Sequence, residues 1–198
     1  MKIAISYPPI VNNQGQKAMV SQNRNVQFFK EPTYLLPVTY AQAASYLKEM
    51  GYDVYWDDGN SQLKTFDEWL ADLVKEAPNV VILESTTPVM KFYWRTINSI
   101  KEVLPEAIVV MTGYHSMRKP DETMENCNAD MVLRSSNVDF ALKRFIPFIE
   151  KNSNWRNEYL GEGMLIRLEN GKLRSTGDFR QVEPLDDSPL VNRDLVQW

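Results

Sequence analysis

The sequence predicts an α/β fold: a doubly wound, five-stranded parallel sheet in the order 2-1-3-4-5, with a C-terminal β-hairpin and extended linker. Three observations carry this. Apolar strand-length runs alternate with helix-length amphipathic stretches from Lys2 to Lys151. Two of those runs, Val80–Leu83 (followed by Glu84) and Ile108–Met111, end in small or hydroxyl residues, Ser85-Thr86-Thr87 and Thr112-Gly113. Beyond Lys151 the alternation stops and Asn170-Gly171 stands between two strand-like runs, the turn chemistry of a hairpin.

The first strand, Lys2 to Tyr7, is stopped by Pro8-Pro9, since proline cannot donate to a ladder. Ile10 to Leu36 is polar and irregular, and a connection that long inside a compact domain either has a job or lacks order. It reads either as a surface excursion or as a lid carrying Phe28, Phe29 and Tyr34 over the ligand face. Pro37 opens a helix whose buried stripe is predicted as Val38, Ala41, Ala44, Tyr46 and Leu47, ending at Gly51. Asp53 to Trp56 is the second strand.

Thr65 caps a helix with Phe66, Trp69, Leu70, Leu73 and Val74 on its apolar side, closed by Pro78. The third strand follows at Val80, a helix spans Phe92 to Leu104, and the fourth strand begins at Ile108. A short helical piece at Asp121–Glu125 leads to a fifth strand, Met131-Val132-Leu133. The last helix, Val138 to Ile149, is expected to bend or end at Pro147. Right-handed crossovers then make the flavodoxin-like (Rossmann-like) order the expected topology. Residues 1–151 form the α/β domain of that reading; residues 152–198 form the hairpin, Met164–Leu168 and Lys172–Ser175, and a linker running from Val182 to Trp198.

The 198 residues carry a formal charge of -4 with both signs mixed, which excludes the basic stripe of a nucleic-acid binder and the polybasic segment of a membrane-surface protein. No apolar run approaches the roughly 20 residues needed to span a bilayer. A single cysteine, Cys127, excludes an internal disulfide and a multi-cysteine metal site. The expected setting is reducing and cytoplasmic. Asp57-Asp58 occupies the position that binds ribose in dinucleotide folds, but no Gly-x-Gly-x-x-Gly follows the first strand, so a nicotinamide cofactor is not expected.

In an open α/β sheet ligands bind at the carboxyl ends of the strands, by the switch point, here between strands one and three. That places Tyr7 and Pro8 beside Ser85, Thr86 and Thr87. The three hydroxyl residues read either as a strand end capping the next helix or as ligand contacts. His115 reads as pocket lining in preference to a metal ligand, because it is the chain's one histidine. Phe92, Tyr93 and Trp94 read as core, with stacking on a flat ligand the lesser alternative.

Leu36-Pro37-Val38-Thr39-Tyr40-Ala41 through Gly51-Tyr52-Asp53-Val54, Ser85-Thr86-Thr87-Pro88 and Thr112-Gly113-Tyr114-His115 together resemble the amino-terminal cobalamin-binding domain of cobalamin-dependent radical S-adenosylmethionine enzymes. Val182-Glu183-Pro184-Leu185-Asp186-Asp187-Ser188-Pro189-Leu190 is similar to the linker by which that domain enters the radical barrel. The resemblance implies a corrinoid-binding module of a methyltransferase or cyclase-like enzyme, with cobalt chemistry supplied by the cofactor. It implies cofactor contacts at Tyr7, Pro8, Ser85, Thr86, Thr87, Gly113, Tyr114, His115, Ser135 and Ser136. The iron–sulfur cluster and S-adenosylmethionine are implied only for a radical barrel, in cis or in trans, that this one-cysteine chain does not contain.

Two departures stand beside it. The family has Gly-Gly-Pro-His where this chain has Thr112-Gly113-Tyr114-His115, and Gly-Glu-Gly-Glu where it has Ser135-Ser136-Asn137-Val138. They motivate the alternative, a non-enzymatic interaction domain of the same fold that has lost cobalamin.

Overall fold

A strand buried on both faces needs apolar residues at every position rather than at alternate ones. The strand Val80–Glu84 meets that demand from Val80 to Leu83 and closes on a carboxylate, with every residue buried. In the computed structural model, which describes residues 1–20, 26–29, 35–135, 137–161, 163–177 and 184–196, the strands around it form one sheet. Its members are β1 (Lys2–Tyr7), β4 (Asp53–Asp58), β5 (Val80–Glu84), β6 (Ile108–Thr112), β7 (Met131–Leu133), β8 (Met164–Arg167) and β9 (Leu173–Ser175). They lie in the order β4-β1-β5-β6-β7-β8-β9.

From β4 to β7 the pairing is parallel, and the switch point falls between β1 and β5, whose register sets Ser6 against Leu83. The sheet is seven-stranded, not five-stranded. The expected hairpin does not stand apart: β8 pairs antiparallel with β7, and β9 with β8. The reason is an unpaired edge on β7, which the hairpin covers. Gly171 takes φ +79° in the turn, and Asn170 Oδ1 accepts from the Lys172 N–H at 3.0 Å.

Helices cover both faces. One core layer joins Ile3, Ile5, Val80 and Ile82 to α1 (Val38–Glu49) and α6 (Val138–Lys151). The other joins Ala4, Val81, Leu83 and Val109 to α2 (Phe66–Glu76), α3 (Met90–Val103) and α5 (Pro120–Asn126). The cap expected at Thr65 is a full capping box, with Thr65 Oγ1 accepting from the Glu68 N–H and Glu68 Oε2 from the Thr65 N–H.

Several expectations change. The 10–36 segment contains a two-stranded antiparallel sheet, β2 (Lys17–Val20) with β3 (Val26–Phe29). Helix α6 runs through Pro147 to Lys151. An interior proline costs ~3 kcal/mol, and burial of Phe145, Ile146 and Ile149 around it holds the helix. On α1 the buried set is Tyr40, Ala41, Ala43, Ala44, Ser45 and Leu47, while Val38 is exposed. The shift has a cause: the C-terminal segment packs on this helix. Asn192 donates its N–H to Ser45 Oγ at 2.8 Å, and Val196 is buried in the same core as Trp155, Tyr159, Met164 and Ile166. Among the described residues the expected linker thus lies docked along the domain, after a 3-10 turn at Leu185–Asp187.

Candidate functional site

The carboxyl ends of β1, β5, β6 and β7 make one edge of the sheet, and most of the predicted contacts sit there. At the switch point the Tyr7 hydroxyl donates to Glu84 Oε2 at 2.9 Å. Both side chains are buried, and burial, with the Glu84 charge second, holds the Tyr7 phenol well above its ordinary pKa. Tyr7 also packs edge-on against Tyr40, ring centroids 6.1 Å apart. The Tyr40 hydroxyl bonds Thr112 Oγ1, which in turn donates to the Leu83 carbonyl at 3.1 Å. One chain of hydroxyls therefore ties α1 to the tips of β5 and β6.

Ser85 and Gly113 meet directly. The Ser85 N–H and hydroxyl reach the Thr112 carbonyl at 3.1 and 3.2 Å, and Ser85 Oγ lies 3.1 Å from Ser116 Oγ. Gly113 has φ +92° and ψ 174°, a region closed to residues with a side chain. A Cβ there would collide with the Ser85 carbonyl and sit 2.7 Å from its nitrogen. The room that the sequence suggested at this point is thus filled by the chain's own main chain. Glycine permits the close approach of two strand ends.

Outside that contact the edge carries Thr86, Thr87, Tyr114 and His115. Thr86 is buried and Thr87 exposed. Tyr114 and His115 open the short helix α4 (Tyr114–Arg118), which the sequence reading missed. The Tyr114 ring points out, 41% exposed, with the Arg118 guanidinium 5.7 Å from its centroid. His115 is 7% exposed; its Nδ1 lies 3.3 Å from Thr87 Oγ1, and its buried Nε2 has no hydrogen-bond partner among the described residues. Burial holds its pKa below the usual imidazole value, so the ring is neutral at pH 7.

Other expected residues are partly committed. Ser135 is buried and its Oγ accepts from the Asn137 N–H at 3.0 Å, while Ser136 lies outside the described residues. The Pro8 carbonyl accepts from Asn60 Nδ2 at 3.1 Å, and Asn60 Oδ1 accepts from the Ile10 N–H, also at 3.1 Å. Of the expected lid, Phe28 is half-exposed; the Phe29 side chain and Tyr34 lie outside what is described. Asp57 is used internally, bonding Ser6 at 3.0 Å and Lys64 at 2.8 Å. Asp58 accepts from the Asn60 and Ser61 N–H groups, each at 3.1 Å. Among the described residues no three His, Cys, Asp or Glu side chains are grouped to hold a metal, and no helix is long and apolar enough to cross a membrane.

Glu84, Tyr40, Ser116 and Asn60 were not among the predicted site residues. Glu84 had a visible signal, a carboxylate closing an apolar strand. Tyr40 stood in the motif that carries the resemblance but without an assigned contact, and Ser116 and Asn60 had no signal, because the partners of all three lie 31 or more positions away in sequence.

The fold is a mixed α/β domain built on a seven-stranded, mostly parallel sheet, and solved proteins share it. The radical S-adenosylmethionine methyltransferase TsrM from Kitasatospora setae, with cobalamin and a 4Fe-4S cluster bound, aligns with TM-score 0.66 and 13% identity over 96% of this chain and 31% of that one. The cobalamin-dependent S-adenosylmethionine radical enzyme OxsB, with aqua-cobalamin and S-adenosylmethionine bound, aligns with TM-score 0.65 and 14% identity over 91% of this chain and 22% of that one. Its apo form reaches TM-score 0.68 over 98% of this chain. No family model matches the chain. An uncharacterised methyltransferase of Pyrococcus horikoshii is 27% identical over 161 residues, 81% of this chain. The chain spans about a third of that relative, 34% of its length.

Proposed function

We propose that this chain is a cobalamin-binding module serving methyl transfer by a radical S-adenosylmethionine enzyme. The observation that carries the reading is the His115 imidazole, buried at the strand-end edge with Nε2 unpaired. A buried polar atom without a partner costs about 1–3 kcal/mol, and a ligand lying over the β5 and β6 ends supplies the missing partner. Support comes from the shared fold of TsrM and OxsB, both solved with cobalamin bound, and from the methyltransferase relative.

In this reading Thr86, Thr87, Tyr114, His115, Ser135 and Ser136 contact the cofactor, with Tyr7 and Pro8 at the switch-point edge. Ser85 and Gly113 build the floor beneath it, since their polar groups and free space are already used. Bound cobalamin would carry the methyl group in transit. The chain's own residues bind it, orient it and exclude water from one face. A radical barrel with its iron–sulfur cluster and S-adenosylmethionine, in the same polypeptide or another, completes the enzyme.

The closed Ser85–Gly113 contact also favours the second reading, an interaction domain of this fold without cofactor. One experiment decides between them. The purified protein is incubated with hydroxocobalamin, desalted and scanned in the visible range. Retained corrinoid absorbance supports the module; a colourless protein after exposure to excess cofactor removes it.

A further inference from the structure

Among the described residues, two buried ring nitrogens lack hydrogen-bond partners, and they belong to neighbouring rings. His115 Nε2 is one; Trp94 Nε1, from α3, is the other. The rings pack edge to face, with centroids 6.3 Å apart and planes at 69°. An indole nitrogen can only donate. The imidazole can donate as well: in the tautomer whose Nδ1 accepts from the Thr87 hydroxyl, 3.3 Å away, the neutral ring carries its hydrogen on Nε2. In that tautomer two buried donors on neighbouring rings stand unpaired, which is costly, and an acceptor satisfies both.

We infer that Trp94 and His115 form a two-donor subsite for an anionic phosphodiester oxygen. The charges nearby suit such a group in part. Lys119 acts on His115 from the positive side and Glu122 from the negative, while exposed Lys91 precedes Trp94 by one helical turn. A neutral imidazole beside an indole holds an anion through N–H groups rather than by ion pairing, and such bonds to charged acceptors are stronger than neutral ones. Resting on the cobalamin reading, the phosphodiester is that of the cofactor's nucleotide tail, which puts the tail's phosphate over the Thr87–His115 side of the edge. This assigns Trp94 to binding, where the sequence suggested core packing.

The test compares cobalamin with cobinamide, the corrinoid lacking the nucleotide loop. Trp94→Phe keeps the ring and removes the N–H. It should weaken cobalamin binding about tenfold, equivalent to ~1.4 kcal/mol, and leave cobinamide binding unchanged. In proton–nitrogen NMR the Trp94 indole signal, assigned by its loss in that variant, should shift with cobalamin and with dimethyl phosphate but not with cobinamide. Equal cobalamin affinity in the variant and wild type overturns the subsite, as does an equal loss for both corrinoids. If wild-type protein binds neither corrinoid, the functional reading fails by itself. The dimethyl phosphate titration then judges the subsite alone: a shifted indole signal upholds it and an unmoved one rejects it.

Discussion

The Thr112 carbonyl accepts two hydrogen bonds from Ser85, from its N–H at 3.1 Å and its hydroxyl at 3.2 Å. This pins the loop after β5 onto the end of β6 and brings the Ser85 main chain against Gly113. Everything the edge presents outward, from Thr86 to His115, stands on that contact.

Gly113→Ala should therefore lower stability by about 3 kcal/mol, from a backbone region closed to alanine together with overpacking against Ser85. Urea denaturation measures it. A loss under about 1 kcal/mol, the scale of an ordinary surface change, would show that the two strand ends are not packed this closely.

Lys64→Met should cost about 3–5 kcal/mol. Its ammonium lies 2.8 Å from the fully buried Asp57 carboxylate and 2.9 Å from Asp72. Removing the cation leaves Asp57 with Ser6, whose hydroxyl Trp69 Nε1 already engages at 2.8 Å. Adding Asp57→Asn to that variant should recover part of the loss, because the stranded charge goes with it. A thermal or chemical melt of the two variants reads the difference.

His115 should titrate below the unperturbed value of about 6.5, since burial disfavours its charged form. The sign follows: the unfolded chain takes up the proton first, so this group's contribution to stability is present above pH ~6.5 and is lost as pH falls toward its depressed pKa. As the chain has one histidine, its ring proton signals report the titration without overlap. A midpoint above 6.5 would contradict the buried, neutral ring.

Cys127 should resist thiol reagents in the folded protein. It is buried, its Sγ–H donates to the Thr123 carbonyl at 3.1 Å, and burial pushes its pKa up to about 11. At pH 8 that leaves about one thiolate in a thousand. Labelling with a disulfide reagent should be slow in buffer and immediate in denaturant, whereas fast labelling in buffer would mean that this corner opens readily.

Much of the scaffold was legible because local chemistry marks it. Thr65 with Glu68, Asn170-Gly171 and the apolar run Val80–Leu83 of β5 each carry their instruction within a few residues. Pro147 misled for the opposite reason: a local helix breaker was outweighed by the burial of Phe145, Ile146 and Ile149. The Ser45 side of α1 was equally hidden, since what covers it arrives 147 positions later.

By itself the sequence determined the alternation of parallel strands and helices, and with it the edge where the strands' carboxyl ends gather, because periodicity and turn residues act over short distances. Tertiary structure alone decided what each edge residue does. It turned Gly113 from open space into a close contact with Ser85, paired Tyr7 with Glu84, and set Trp94 beside His115 with their nitrogens unpaired. The physical reason is that hydrogen bonding and close packing are settled by neighbours in space, and here those neighbours come from strands and helices far apart in the chain.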